Sequence, residues 1–444
     1  MAQDSGSQTS SRDRVRSRWA ALRPTARFRR QLVQASVFAL ILVAVIGGLS
    51  FVFGIIVLQY AMGGLVVSSI VIVAAIGLTV LYGIRGFANF AYGDLMTFGA
   101  YLALLLSLNG PSLSFLSDPR VDGLFILVGA VALVLDVFRR TLLLTIVAIA
   151  MFALGLLGAL IGALFGGAPL IWGAVVSFLI LALVGVLLEV VIFSRLEGRG
   201  PVPPIVASVG VGLIIQNGIR SVAGTAEWLY PVPATQDIVI VPGLGIHPVR
   251  GILTLVVGVA FVLSAHILLK YTNLGKAMRA TADNLELAKA TGIDTKRVTY
   301  AAWVVSCSFA STAGVLLGLG TAIKPTMGFD VILLIFAAVI VGGVGSPYGA
   351  MLGGLLVGLS QEMSVPFLVW LERPDVIGLQ FGSAYKVAIP FIILIIVLIF
   401  RPWGIAGRRP AFARRSYFIE RITRALGDER GAVEASVGEA NGGR

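Results

Sequence analysis

Charged residues are scarce in this sequence, and their scarcity excludes most soluble folds. They make up 13% of the 444 residues, while hydrophobic residues make up 57%. Soluble domains carry about 25% charged residues, so a surface this poor in charge does not suit a globular protein in water. A disordered chain would need low hydrophobicity and high charge. The composition therefore predicts a polytopic membrane protein.

Cysteine and histidine are almost absent, which excludes several kinds of site. Cys307 is the single cysteine, so neither a disulfide within the chain nor a CxxC metal pair is possible. The only histidines are His247 and His266, so a metal centre built from several imidazoles is not expected. The sequence also lacks a G-x-x-x-x-G-K-[ST] phosphate loop, a G-x-S-x-G elbow and an H-E-x-x-H pair. We therefore expect no enzyme activity, no metal and no cofactor bound by this chain itself.

Long apolar runs recur along the chain, and they predict membrane spans because crossing about 30 Å of hydrocarbon takes roughly 20 apolar residues. Strands of about ten alternating residues, typical of a membrane barrel, are absent. The predicted fold is all-α, a polytopic transmembrane helical bundle of about 10–12 spans. The span 330–345 is short enough to be re-entrant, and 92–108 begins in a segment that could break the helix. The predicted spans are 34–58, 64–84, 92–108, 123–138, 141–165, 170–193, 203–223, 248–270, 299–321, 330–345, 348–365 and 385–402.

The net charge of +12 is concentrated in three polar segments. Residues 1–33 carry +6, residues 270–298 carry +3 and residues 401–444 carry +4. Basic flanks mark the cytoplasmic side of membrane spans, so we expect the chain to be a multi-pass protein of a cell membrane, with both termini and the 270–298 loop in the cytoplasm. Nucleic acid is not an expected partner, because no aromatic interleaving or fold signature supports it.

Glycine and intramembrane charge give two further expectations. Glycines four residues apart allow close helix crossing, although some could instead line a substrate path with backbone; they are Gly158/Gly162/Gly166, Gly314/Gly318 and Gly345/Gly349/Gly353. Ionisable residues in or beside spans are functional candidates; they are Asp94, Asp136, Glu189, Asp330, Glu362 and Lys386. Most lie near predicted span ends. Asp136 has Arg139 and Arg140 within one turn, a spacing that suggests a local ion pair, and Glu189 similarly precedes Arg195 at an inner end. A path with so little charge at mid-span favours an uncharged or apolar-bodied solute over ion coupling.

The 270–298 loop contains a segment of high helical propensity, from Lys276 to Ala290. Gly292 follows it as a plausible C′ residue that ends the helix. A short helix stopped by glycine in a cytoplasmic loop is a suitable shape for docking into another protein. A solvated connector remains an alternative on physical grounds alone.

Three blocks of sequence are recognisable. The loop reads L-G-x-A-x-R-A-x-x-D-N over 274–284 and A-x-x-x-G-I over 288–293. Upstream, G-L-T-x-x-Y-G spans 77–83 and N-F-A-Y-G-D spans 89–94. Downstream, two glycine-rich motifs lie within 342–354. In this order the blocks resemble the permeases of branched-chain amino acid ABC importers (LivH/LivM type) across about residues 60–405.

The resemblance implies a permease dimer, formed with a second related permease or with another copy of this chain. Two ABC ATPase subunits, where ATP-Mg would bind, and an extracytoplasmic solute-binding protein would complete the importer around this lipid-embedded subunit. The residues that it assigns to ATPase coupling are Gly275, Arg279, Asp283, Leu287, Ala288, Gly292 and Ile293. Those that it assigns to the substrate pathway are Asn89, Gly93, Asp94, Gly342, Gly343 and Gly345.

Departures from the family pattern affect both the site and the domain organisation. The family usually has His where Tyr92 stands, and often Lys where Leu334 stands. The predicted organisation is a basic tail over 1–33, an additional first span over 34–58, a permease domain over 59–405 with an inserted helix pair at 123–165, and a basic tail over 406–444. Two other functions stay open. One is a stand-alone secondary transporter or channel for a small urea- or amide-like solute, and the other is a structural or assembly protein of the membrane.

Overall fold

The computed structural model describes residue 54 and residues 56–107, 170–230, 237–241, 244–372 and 383–406. The inserted pair predicted at 123–165, most of the span predicted at 34–58 and both basic tails lie outside the described residues. The statements below concern the described part of the chain.

The described chain is a bundle of helices with one small hairpin. The helices are α1 (Ile56–Arg85), α2 (Ala91–Leu106), α3 (Leu170–Val191), α4 (Val202–Ala223), α5 (Thr254–Tyr271), α6 (Asn273–Asp283), α7 (Leu285–Ala290), α8 (Thr295–Gly320), α9 (Met327–Gly342), α10 (Pro347–Met363), α11 (Val365–Leu371) and α12 (Ala388–Phe400). The antiparallel strands β1 (Ile238–Val241) and β2 (Leu244–Ile246) form the hairpin. Short 3-10 turns cover Phe193–Leu196 and Ser383–Val387, and a π-helical turn, Pro248–Leu253, precedes α5.

The all-α membrane fold predicted from composition is confirmed. Six helices in the described residues are long and apolar enough to cross a membrane, and three shorter apolar helices accompany them. Two details of the prediction were wrong. The helix α1 begins at Ile56, so the predicted break between 58 and 64 is helical, and α2 runs unbroken from Ala91 to Leu106.

Successive membrane helices run in opposite directions, so the bundle has two distinct ends. We call the end that carries the 270–298 loop the loop face and the end that carries the β1–β2 hairpin the hairpin face. At the hairpin face, the Gln59 side chain of α1 exchanges two hydrogen bonds with the backbone of Gly245. At the loop face, α1 ends at Arg85.

The helices α1 and α8 form the centre of the bundle. Each is 78% buried along its apolar window, whereas α4 and α5 are 28% and 22% buried. The central helices contact α2, α3, α9 and α10, and the outer helices present their apolar residues outward. In lipid an outward apolar face costs little, because the hydrocarbon is as apolar as leucine.

Glycines hold the helix crossings close, as their spacing predicted. A Cβ atom on Gly314 of α8 would collide with the backbone of Met96 in α2. One on Gly353 of α10 would collide with the backbone of Ala338 in α9. With no side chain at these positions, backbones approach within van der Waals contact, which is the principal attraction between helices in lipid.

Replacing Gly314 with alanine tests this packing. We expect G314A to lower the apparent unfolding midpoint of the purified protein in detergent, because overpacking a close crossing costs about 1–3 kcal/mol. The matched control is G218A, since a Cβ on Gly218 meets nothing within 4 Å and alanine favours helix. Equal midpoints for the two variants would contradict the close-crossing role.

Candidate functional site

The loop face carries two short helices in place of the single helix predicted from Lys276 to Ala290. The chain is extended at Asn284 (φ −161°, ψ 108°), which separates α6 from α7. The Asn284 side-chain oxygen accepts a hydrogen bond from the backbone N–H of Leu287 at 3.0 Å. Asparagine caps helix starts in this way because its side chain satisfies an otherwise unpaired N–H, and this local competition ends the first helix.

Gly292 ends α7 as its position in the sequence predicted. Its φ is +83°, in the left-handed region. The N–H of Gly292 donates to the carbonyl of Lys289, and the N–H of Ile293 donates to the carbonyl of Ala288, both at 3.1 Å. These two bonds form a Schellman motif, in which glycine at C′ avoids the steric cost of a side chain.

The predicted coupling residues divide into exposed and buried groups. Leu287 is 61% exposed although it is apolar, whereas Ala288 beside it is 3% exposed. Arg279, Asp283 and Gly292 are also exposed. The remaining members support the loop: a Cβ on Gly275 would collide with the backbone at the end of α5, and Ile293 packs against the core. The exposed group therefore forms one surface on α6 and α7, which we call the loop surface.

A cavity of about 710 Å³ lies beside the loop surface, between the ends of α1 and α3 and the start of α8. Arg85 crosses its wall and pairs with the Glu189 carboxylate at 3.1 Å and the Glu197 carboxylate at 3.4 Å. Its guanidinium also donates to the Phe193 carbonyl at 2.8 Å. The suggested local pairing of Glu189 with Arg195 was wrong, because Glu189, in the last turn of α3, lies against the end of α1 and pairs with Arg85 instead.

Asn89, Gly93 and Asp94, predicted for the substrate pathway, lie where α2 begins. The Asn89 side-chain oxygen accepts a hydrogen bond from the Ala91 N–H at 3.1 Å. A Cβ on Gly93 would meet the backbone of Gly328, and Asp94 is 6% exposed in the first turn of α2. An acid there favours the helix dipole, but Asp94 Oδ1 and Asn89 Nδ2 are buried without a hydrogen-bond partner among the described residues. The role of these residues in transport stays a prediction.

The late glycines, Gly342, Gly343 and Gly345, lie at the junction of α9 and α10 on the loop face. Gly343 and Gly345 have φ of +114° and +78°. Gly342 packs against the backbone of Gly349 and accepts a backbone hydrogen bond from Ala406 at 2.9 Å. They form a tight turn, and their predicted place in the pathway likewise stays a prediction.

A second cavity, of about 570 Å³, lies at the hairpin face and reaches between α1, α8, α9 and α10. None of the predicted pathway residues lines it. Its polar lining residues include Gln59, Asp237, His247, Arg250, Gln361, Glu362 and Lys386. We call it the hairpin-face cavity.

Sequence reasoning singled out Glu362 and Lys386 as charges near span ends but did not pair them. Lys386 Nζ lies 2.7 Å from Glu362 Oε1. The two residues are 24 positions apart, so no helical spacing joins them. Only the packing of α10 against the start of α12 brings them together.

A family model described as the permease component of branched-chain amino acid transport systems matches residues 60–398. The chain belongs to this family. The match covers every membrane helix described here except the first turn of α1 and the last turn of α12. The loop surface and the hairpin-face cavity therefore both lie within the family's permease domain.

Individual relatives agree with the family. The branched-chain amino acid permease BraD of Pseudomonas aeruginosa is 28% identical over 356 residues, covering 79% of this chain and 96% of BraD. LivH of Escherichia coli K12 is 26% identical over 356 residues, with the same coverage. A probable LivH of Methanocaldococcus jannaschii is 27% identical over 351 residues, covering 78% of this chain and 91% of that protein. No solved structure matches.

The Arg85 ion pair gives a stability prediction. Arg85 and Glu189 side chains are 9% and 3% exposed, and removing one partner of a buried pair costs about 3–5 kcal/mol because the other charge is stranded. We expect R85M to lower the apparent unfolding midpoint in detergent strongly. E197Q serves as the control, because Glu197 is 54% exposed and exposed pairs contribute little. A midpoint for R85M equal to that of E197Q would contradict the role of the pair.

Proposed function

We propose that this permease is the membrane-spanning subunit of an ATP-driven importer for branched-chain or other small apolar amino acids. The family and its relatives support transport of this class. The chain has no phosphate-binding loop of its own, so ATP-Mg would bind and be hydrolysed in separate ABC ATPase subunits. A second permease, related or identical, and an extracytoplasmic solute-binding protein would complete the complex in the inner membrane.

The observation that carries the coupling proposal is Leu287. A leucine 61% exposed on a rigid, capped loop helix is suited to insertion into a groove of a partner, since buried apolar anchors dominate binding energy at interfaces. Basic and acidic residues surround it on α6 and α7, and such a polar rim sets orientation and association rate more than affinity. We therefore assign the loop surface to the ATPase and propose that the loop face lies in the cytoplasm, together with both termini, whose basic charge favours that side.

The physical mechanism follows from the connection of the loop to the central helix. The loop leads directly into α8, whose N-cap Asp294 accepts a hydrogen bond from the Arg297 N–H at 3.2 Å. Because α8 is a continuous helix of 26 residues, motion of a docked loop would be carried through the membrane to its far end. Coupling also requires that solute bind the two states with different affinity.

The alternative is a stand-alone transporter or channel for a small uncharged solute. The scarcity of charge at mid-span disfavours ion coupling, and an exposed apolar anchor at the loop face has no role in a subunit that works alone. The two functions differ in their energy source, so one transport assay separates them.

The test is leucine uptake by proteoliposomes that contain the whole complex, with ATP on the ATPase side. We expect wild-type uptake to require ATP and to persist with ionophores, and L287D to reduce both ATPase co-purification and uptake at least tenfold, because one charge in an anchor pocket costs a few kcal/mol. V239D is the control, since Val239 is 66% exposed at the hairpin face. Uptake without ATPase subunits that ionophores abolish would support the stand-alone transporter.

Gly292 gives a second, independent test of the loop surface. We expect G292A to weaken ATPase association by several-fold, because a non-glycine residue in the left-handed region costs about 1–2 kcal/mol and loosens the end of α7. G224A is the control at the opposite face, since Gly224 after α4 also has a positive φ (+74°, with ψ −163°) and each site has nothing within 4 Å of a Cβ. Equal ATPase association for G292A and G224A would contradict the assignment.

A further inference from the structure

One part of the hairpin-face cavity is lined by three polar side chains. Lys386 and Glu362 form a 2.7 Å ion pair whose side chains are 33% and 14% exposed. Beside Glu362, Gln361 is 9% exposed, and its Oε1 has no hydrogen-bond partner among the described residues. All three residues line the cavity. The Oε1 atom itself is closed to solvent, so the ion pair is the polar group that this end of the cavity offers to a ligand.

The charges that line the cavity balance. Asp237 and Glu362 are acidic, and Arg250 and Lys386 are basic. A ligand with a single charge would leave one member of the Glu362–Lys386 pair without its partner, which is expensive in a site partly removed from water. A ligand that carries one charge of each sign can replace the pair, because each side chain then keeps an opposite partner.

Deeper in the cavity, aliphatic side chains form much of the lining. Val67, Ile70 and Val71 of α1 face Leu334 and Ile335 of α9 across the cavity. Ile70, Val71, Leu334 and Ile335 are each less than 10% exposed. The volume of about 570 Å³ lies within the usual range of roughly 300–1,000 Å³ for small-molecule sites. An aliphatic side chain would lose its water there without displacing any polar contact.

We propose that the hairpin-face cavity binds a zwitterionic amino acid, with Lys386 holding its carboxylate and Glu362 holding its ammonium group. The aliphatic side chain lies against α1 and α9. This inference rests on the proposed function and adds to it the residues that bind the carboxylate and the ammonium group of the solute. Lys386 and Glu362 determine specificity in the permease itself, separately from any selection by a solute-binding protein.

The test pairs each charge of the ligand with one residue of the permease. The two permeases and the ATPase subunits are reconstituted together in nanodiscs, and the solute-binding protein is left out. Binding of radiolabelled L-leucine is measured by scintillation proximity. The competitors are isopentylamine, which lacks the carboxylate, and 4-methylpentanoate, which lacks the ammonium group. For the wild type we expect each competitor to bind at least tenfold more weakly than leucine.

The variants K386M and E362Q then give opposite patterns. K386M weakens leucine roughly tenfold to a hundredfold, as expected for loss of a charged hydrogen bond, but strengthens isopentylamine, because the amine no longer has to displace Lys386 from Glu362. E362Q weakens leucine similarly and strengthens 4-methylpentanoate for the converse reason. If the ion pair were purely structural, each variant would weaken the binding of all three ligands to the same extent. Retained binding of the one-charge analogue also shows that each variant is folded, so a misfolded protein is not mistaken for a lost contact.

A matched ion pair serves as control. Lys324 Nζ lies 2.8 Å from Asp330 Oδ2, and the hydrogen bond to Asp330 raises the pKa of Lys324 above its ordinary value. Neither residue is among those that line the cavity. We expect K324M and D330N to bind all three ligands as the wild type does.

The outcomes separate the two proposals. ATP-driven leucine uptake with K386M and E362Q affecting all ligands equally, or none, would overturn the cavity assignment and leave the importer function standing. Wild-type uptake of one-charge analogues as efficient as that of leucine would also overturn it. Absence of ATP-driven uptake for any branched-chain amino acid would overturn the proposed function, and the cavity assignment with it.

Discussion

Close approach of helix backbones is the interaction on which the rest of this structure depends. Lipid provides no hydrophobic drive between helices, so van der Waals contact at crossings must hold the bundle together. Glycine makes that contact possible where α8 crosses α2 and where α10 crosses α9. A side chain at either crossing would separate the helices, and the cavities between them would change shape. The abundance of glycine and the shape of the cavities therefore both follow from the need for close helix crossings.

The few charges are placed where that packing leaves room for them. At the loop face Arg85 joins α1 to α3 and to the turn after α3, and at the hairpin face Lys386 joins the 3-10 turn before α12 to α10. Each pair connects helices that are distant in sequence. Breaking or exchanging a pair therefore changes how helix ends sit together, which is the kind of change that alternating access requires.

The two faces are connected by the central helices. The helix α8 begins at the loop and ends at residues that line the hairpin-face cavity, and α1 runs from that cavity to Arg85. Under the proposed function, force applied by an ATPase at Leu287 and solute binding beside Lys386 would act on opposite ends of the same two rigid elements. That arrangement offers a direct physical route for coupling without charge at mid-span.

Composition and periodicity alone determined the class of this protein, because apolar length and charge distribution decide which segments enter a membrane. The long membrane helices in the described residues, the stop at Gly292 and the family were predictable, since each depends on local sequence or ordered motifs. The break at Asn284 was missed because capping by one side chain outweighed helical propensity. The pairing of Glu189 with Arg85 and of Glu362 with Lys386, and the cavity beside the second pair, were decided by tertiary structure alone. They depend on which helix faces meet, and spacing along a single helix carries no information about a partner 24 or 104 residues away.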